Sequence, residues 1–147
     1  MPIVYKTGDL FESTADAIVV TVNCVGVMGK GIALTCKQRY PSVFQEYKAL
    51  CDNGAFTPGK IYRHTVDGRL IFTAATKNHW RHRSEFMWIV TIVTRIKAHL
   101  LSNPSTSIAI PPLGCGNGGL GWTTVDFLIQ ETLGELPNTI EVYAPAD

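Results

Sequence analysis

The stretch "AIVVTVNCVGVMGKGIA", Ala17–Ala33, decides the fold. Ala17–Val22 is apolar or β-branched at every position, the composition of a strand covered on both faces. Gly26, Gly29 and Gly31 then punctuate a turn, among the chemically distinctive Asn23, Cys24, Met28 and Lys30. Helical spacing follows over Gly31–Arg39 until Pro41 stops it. A buried strand, a glycine loop and a helix in succession predict parallel strands with helices laid over them.

The rest of the chain repeats that alternation. Ile3–Tyr5 is a short β-type run. A second helix is expected over Ser42–Asp52, with Val43, Phe44, Tyr47, Leu50 and Cys51 as its apolar stripe. Lys60–Thr65 and Arg69–Ala74 flank "VDG" as a hairpin would. A long helix is predicted over Ser84–Leu101, and a buried strand over Ser107–Ile110 leads into "PPLGCGNGGLG". A helix over Thr123–Leu136 and a strand over Thr139–Tyr143 complete the pattern. Trp88 and Trp122 fall inside helices and are expected in the core. The fold class is therefore α/β, with helices on both faces of a mixed, largely parallel sheet of about six strands.

Composition narrows the function classes. The 147 residues suit one domain spanning 1–147. Hydrophobic residues at 46% against 17% charged predict a packed core, not disorder. A net charge of +1 gives no overall attraction to nucleic acid or membrane. No apolar run approaches the ~18 residues that a membrane span needs. The start, "MPIVYKTGDLFEST", lacks the basic end and long apolar middle of a signal peptide. Cys24, Cys36, Cys51 and Cys115 show no CxxC spacing, so a reduced, cytoplasmic protein without a zinc site is expected. His64, His79, His82 and His99 lack HxxxH or HExxH spacing, so neither metal nor cofactor is expected.

In open α/β sheets ligands sit beyond the carboxyl ends of the strands. Two glycine loops leave such ends, Asn23–Gly31 and Pro112–Gly121. Glycine turns at helix starts expose backbone N–H groups where the helix field favours an anion, and two facing loops suit a diphosphate. "GVMGKG" lacks the Walker A spacing and the hydroxyl after its lysine. Its GxxGxG order also differs from the dinucleotide fingerprint GxGxxG. An ATPase or an NAD-dependent dehydrogenase is disfavoured.

Four segments, "TGDLFES", "VVTVNCVGVMGKGIA", "TKNHWR" and "IAIPPLGCGNGGLGW", resemble in this order the blocks of the macrodomain family. The resemblance covers essentially the whole chain, and "TKNHWR" narrows it toward DarG-type antitoxins and related terminal ADP-ribose glycohydrolases. It implies a three-layer α/β/α fold that binds ADP-ribose. It also implies removal of ADP-ribose from thymidine bases in single-stranded DNA, reversing a DarT-type toxin. Such proteins carry a further toxin-binding region that this sequence does not encode, so an excised domain or a stand-alone relative is expected.

The resemblance also implies site residues. Asp9, with Leu10 beside it, would receive the adenine amino group, and Asn23 would bond the distal ribose. Gly29, Gly31, Ile32 and Ala33 would line the diphosphate. Leu113, Gly114, Cys115, Gly116, Asn117, Gly118, Gly119 and Leu120 would form the opposing wall, with Tyr143 also in contact. Lys77, where an apolar strand runs out, would attack the ribose carbon C1″. Burial or nearby cations such as Arg81 and Arg83 would lower its pKa. Human-type relatives pair this lysine with an aspartate at the position of Gly118, so the acid/base partner is open, with His79 a candidate. His79, Trp80 and Arg81 combine aromatic faces and cations as a DNA contact would. Cys115 reads as a small wall residue and Lys30 as solvated. Two alternatives stay open: an ADP-ribose-1″-phosphatase or O-acetyl-ADP-ribose deacetylase, and a non-catalytic ADP-ribose reader.

Overall fold

Alternation along one strand sets the layers. In the computed structural model, which describes residues 3–145, β2 (Ala17–Val22) sends Ala17 and Val19 to one face and Ile18, Val20 and Val22 to the other. The terminal positions 1–2 and 146–147 of the expected domain lie outside the described residues.

The remaining strands are β1 (Ile3–Lys6), β3 (Ile61–Val66), β4 (Arg69–Ala75), β5 (Ile108–Ile110) and β6 (Ile140–Tyr143). With β2 they form one six-stranded sheet in the order β1-β6-β5-β2-β4-β3. Every neighbouring pair is parallel except the β3–β4 hairpin. Asp67 and Gly68 close that hairpin with positive φ at both positions, 50° and 80°, the turn that matches strand twist.

The helices are α1 (Gly31–Arg39), α2 (Pro41–Asp52), α3 (Phe86–Ser102) and α4 (Trp122–Leu133). Ile89, Ile92 and Ile96 of α3 and Val125 and Ile129 of α4 cover the Ala17/Val19 face. Cys36 of α1 and Val43 and Tyr47 of α2 cover the Ile18/Val20 face, with Leu10, Phe11, Met28 and Phe56. This is the three-layer α/β/α arrangement expected. Pro41 does end α1, yet it also opens α2 as its first residue, where a missing N–H costs nothing. The long helix begins at Phe86, so Ser84 precedes it. Trp122 packs against the α3–α4 core only partly buried, and Trp88 is half-buried; neither is the interior residue expected.

The β2–α1 loop is built around Asn23. Its Nδ2 donates to Val27 O (2.8 Å), and its Oδ1 accepts from the N–H of Val25 (3.1 Å) and of Val27 (3.4 Å). The fully buried Tyr47 hydroxyl lies 2.7 Å from that Oδ1 and 2.9 Å from Asn23 O, so α2 holds the loop from below. Tyr47→Phe keeps the packing and removes this donor from buried acceptors, which costs about 1–3 kcal/mol. Urea denaturation should show that loss; wild-type stability would mean that the hydroxyl does not hold the loop.

Candidate active site

Because β2, β4 and β5 run parallel, their carboxyl ends lie at one edge of the sheet. The β2–α1 loop, the β4–α3 loop and the β5–α4 loop leave from that edge and enclose a cleft of about 930 Å³. That volume lies within the range of about 300–1,000 Å³ usual for small-molecule sites.

Of the residues expected from the sequence, Asn23, Gly29, Gly31, Ile32, Ala33, Lys77, Trp80, Arg81, Gly114, Cys115, Asn117 and Gly118 line the cleft. Asp9, Leu10, His79, Leu113, Gly116, Gly119, Leu120 and Tyr143 do not. Asp9 uses Oδ1 to accept from Phe11 N–H (2.9 Å), capping a 3-10 turn over Leu10–Glu12, and its Oδ2 lies 3.8 Å from Arg39. Leu10, Leu113 and Tyr143 are buried in the core clusters or against them. Gly119 faces Arg83, whose Nη2 donates to its carbonyl at 3.2 Å; a Cβ there would meet that guanidinium, not the cleft.

The two helices that follow the glycine loops start without side-chain caps or acidic residues in their first turns. In α1 the first backward bond is from Leu34 N to Lys30 O (3.3 Å), which leaves the N–H groups of Gly31, Ile32 and Ala33 ahead of it. All three residues line the cleft, where the helix field favours an anion. The second loop differs from expectation. The N–H groups of Cys115, Gly118, Gly119 and Leu120 donate to carbonyls within the loop, so they do not serve as free donors. Gly114, Gly116 and Asn117 make no such bond among the described residues.

Lys77 is fixed by the backbone on both sides. Thr76 N donates to Val22 O (3.1 Å), and Cys24 N donates to Asn78 O (3.1 Å), so the β2–β4 ladder continues past the strand ends. The amine donates to Trp80 O at 3.3 Å, a long bond. Burial, and then the charge of Lys30, push its pKa below that of an ordinary lysine. Lys30 is exposed, as expected, but it also lines the cleft and supplies the cation that the sequence reading assigned to Arg81 and Arg83. Those two have other partners: Arg81 stacks over Trp80 (4.6 Å) and Arg83 holds Gly119.

His79 is not placed as an acid or base for the cleft. Its Nδ1 accepts from Arg81 N (3.1 Å), and its ring stacks on Trp80 at 5.2 Å. Trp80 is 45% exposed and stands at the cleft wall beside Lys77. Cys115 has its thiol pushed up by burial, and its Sγ lies 3.7 Å from Leu113 O, the surroundings of an inert wall residue. All four cysteines are free. Among the described residues no three His, Cys, Asp or Glu side chains form a metal-binding group, and no helix is long and apolar enough to cross a membrane.

Sequence reasoning missed Thr21, Val22, Val27, Thr76, Ser84 and Pro112, which also line the cleft. Strand-end positions beside named residues could have flagged Thr21, Val22 and Thr76, and Val27 lies within the first glycine loop. Ser84 gives no local signal, because its contact with Gly118 joins two distant loops.

Comparison with known proteins agrees with this geometry. The chain is 40% identical, over 97% of its length, to the DNA ADP-ribosyl glycohydrolase of Mycobacterium tuberculosis, of which it spans only 42%. The solved macrodomain of M. tuberculosis DarG superposes with a TM-score of 0.91 at 40% identity, covering 98% of both chains. The Thermosipho africanus DarTG in complex with ADP-ribose gives a TM-score of 0.89 at 30% identity, over 97% of this chain and 41% of that one. The Macro domain model matches residues 19–128, most of the chain, and the chain belongs to the Macro domain family.

Proposed function

We propose that this domain is a glycohydrolase that binds ADP-ribose in the cleft and removes it from thymidine bases of single-stranded DNA. In this reading it acts in the cytoplasm as the antitoxin activity that reverses a DarT-type toxin. The observation that carries the reading is Lys77: a lysine with a lowered pKa in the same cleft as an uncapped helix start, next to an exposed tryptophan and arginine. The names of the relatives support the same substrate class.

Each wall has a chemical task in this scheme. The free N–H groups at the start of α1 receive the diphosphate, and Lys30 adds a positive charge beside them. Asp9 stands outside the lining of the cleft, so the adenine extends past the walls to reach it and meets the oxygen that does not cap its turn, 3.8 Å from Arg39. Asn23 keeps one Nδ2 hydrogen for the distal ribose, since its other groups hold the loop. Trp80 stacks a base of the DNA, and Arg81 on its face meets the phosphates.

Lys77 supplies the chemistry. Its neutral amine forms a bond to C1″ as the bond from C1″ to the base nitrogen breaks, and the base leaves with the proton the amine gives up. The resulting glycosylamine opens to a Schiff base, with the ring oxygen taking the remaining proton. Water then adds at C1″ and frees both ADP-ribose and Lys77. No step calls for a metal.

ADP-ribosylated single-stranded DNA is the test substrate. Wild type should release ADP-ribose from it, and Lys77→Ala should lose roughly 100- to 1,000-fold in turnover while still binding ADP-ribose within a few-fold by calorimetry. Release by Lys77→Ala at the wild-type rate would refute the assignment. Activity on ADP-ribose-1″-phosphate or O-acetyl-ADP-ribose alone would make the domain a different hydrolase, and binding without any turnover would make it a reader. Lys30→Ala removes a cation that favours the neutral amine, so the rising limb of the pH–rate profile should move to higher pH. An unmoved limb would show that Lys30 does not tune Lys77.

A further inference from the structure

Ser84 sits on the β4–α3 loop, outside any role assigned above. Its N–H donates to Gly118 O at 2.9 Å, which ties the β4–α3 loop to the β5–α4 loop. The residue is 7% exposed and lines the cleft, and its Oγ is buried with no hydrogen-bond partner among the described residues. A buried hydroxyl without a partner is uncommon and calls for a physical reason.

Gly118 shows what that hydroxyl faces. A Cβ built on Gly118 would stand 2.6 Å from Ser84 Oγ and 4.0 Å from Lys77 Cε. Unlike Gly114, Gly116 and Gly119, Gly118 does not have positive φ, so its backbone does not require glycine. The hydroxyl requires it. Ser84 and Lys77 close on the same small space above Gly118 from two sides, and glycine keeps that space open between them.

We infer that Ser84 is the positioning residue of Lys77: its hydroxyl accepts a hydrogen bond from the Lys77 amine across Gly118 and aims the nitrogen lone pair at the reacting carbon. The amine's present bond to Trp80 O is long at 3.3 Å, and a lysine side chain swings on its terminal torsions at little cost. The stem stays where it is while Nζ exchanges a weak carbonyl acceptor at the wall for a buried hydroxyl at the floor. Ser84 can also donate its own proton onward, so the pair supplies both an acceptor and a donor where no carboxylate stands.

This assignment rests on Lys77 as nucleophile, and the experiment separates the two. Turnover on ADP-ribosylated single-stranded DNA, its pH profile, ADP-ribose affinity and Tm are measured for Ser84→Ala, Lys77→Ala and two double variants. Ser84→Ala should lower kcat on the order of 10- to 100-fold, the scale of a misaimed reacting group, with KM, ADP-ribose affinity and Tm unchanged. Gly118→Ser in the Ser84→Ala background returns a hydroxyl from the other side and should restore most of the turnover. Gly118→Ala in that background brings the same Cβ, 3.2 Å from the Cβ that remains at position 84, without the hydroxyl and should not. Wild-type turnover in Ser84→Ala, or equal turnover in the two double variants, would overturn the role of Ser84 even with Lys77→Ala inactive. Full turnover in Lys77→Ala would overturn both assignments.

Discussion

The parallel pairing of β2 with β4 on one side and β5 on the other is the constraint from which the site follows. Strands that run the same way end at the same edge, and their loops have to meet there. The pairing continues beyond the strands, because Thr76 donates to Val22 and Asn78 accepts from Cys24 on either side of Lys77. Lys77 is thereby held by main-chain hydrogen bonds, more rigidly than a surface loop would hold it. Register errors are penalised as well: a one-residue slip of β2 would move Ile18, Val20 and Val22 out of the α1–α2 layer.

Polar groups then divide the cleft by task. Tyr47 and Asn23 satisfy one another and give the first glycine loop its shape, which leaves the start of α1 uncapped and facing the cleft. The second loop takes the opposite course and bonds largely to itself, acting as a wall more than as a row of donors. The N–H groups of Gly114, Gly116 and Asn117 stay outside that bonding among the described residues, and Lys77 shares the cleft with both loops. Burial and the neighbouring Lys30 both disfavour charge on the Lys77 amine, the direction a nucleophile needs.

The fold was legible in the sequence because it rests on local signals. The apolar run of Ala17–Val22, the helical spacing after it and the "VDG" turn each fix an element by themselves, and observed boundaries differ from the expected ones by a few residues at most. Lys77, Gly31 and the second glycine loop were legible through motif blocks. What could not be read depends on contacts between distant segments. Tyr47 reads as a stripe residue of α2, but the target of its hydroxyl lies in the loop after β2. His79 looks like a base until its ring is seen stacked on Trp80 with Nδ1 occupied. Arg81 and Arg83 look like the cations near Lys77, yet Lys30, far earlier in the chain, is the charge that acts on it. Ser84 acquires meaning only through Gly118.

Covalent capture of Lys77 tests most directly whether this cleft performs glycosyl transfer to an amine. Sodium borohydride added during turnover of ADP-ribosylated single-stranded DNA would reduce a Schiff base to a stable secondary amine. Peptide mass spectrometry should then find an ADP-ribosyl adduct on Lys77. Full turnover with no adduct on Lys77, or an adduct on another residue only, would contradict its role as the nucleophile.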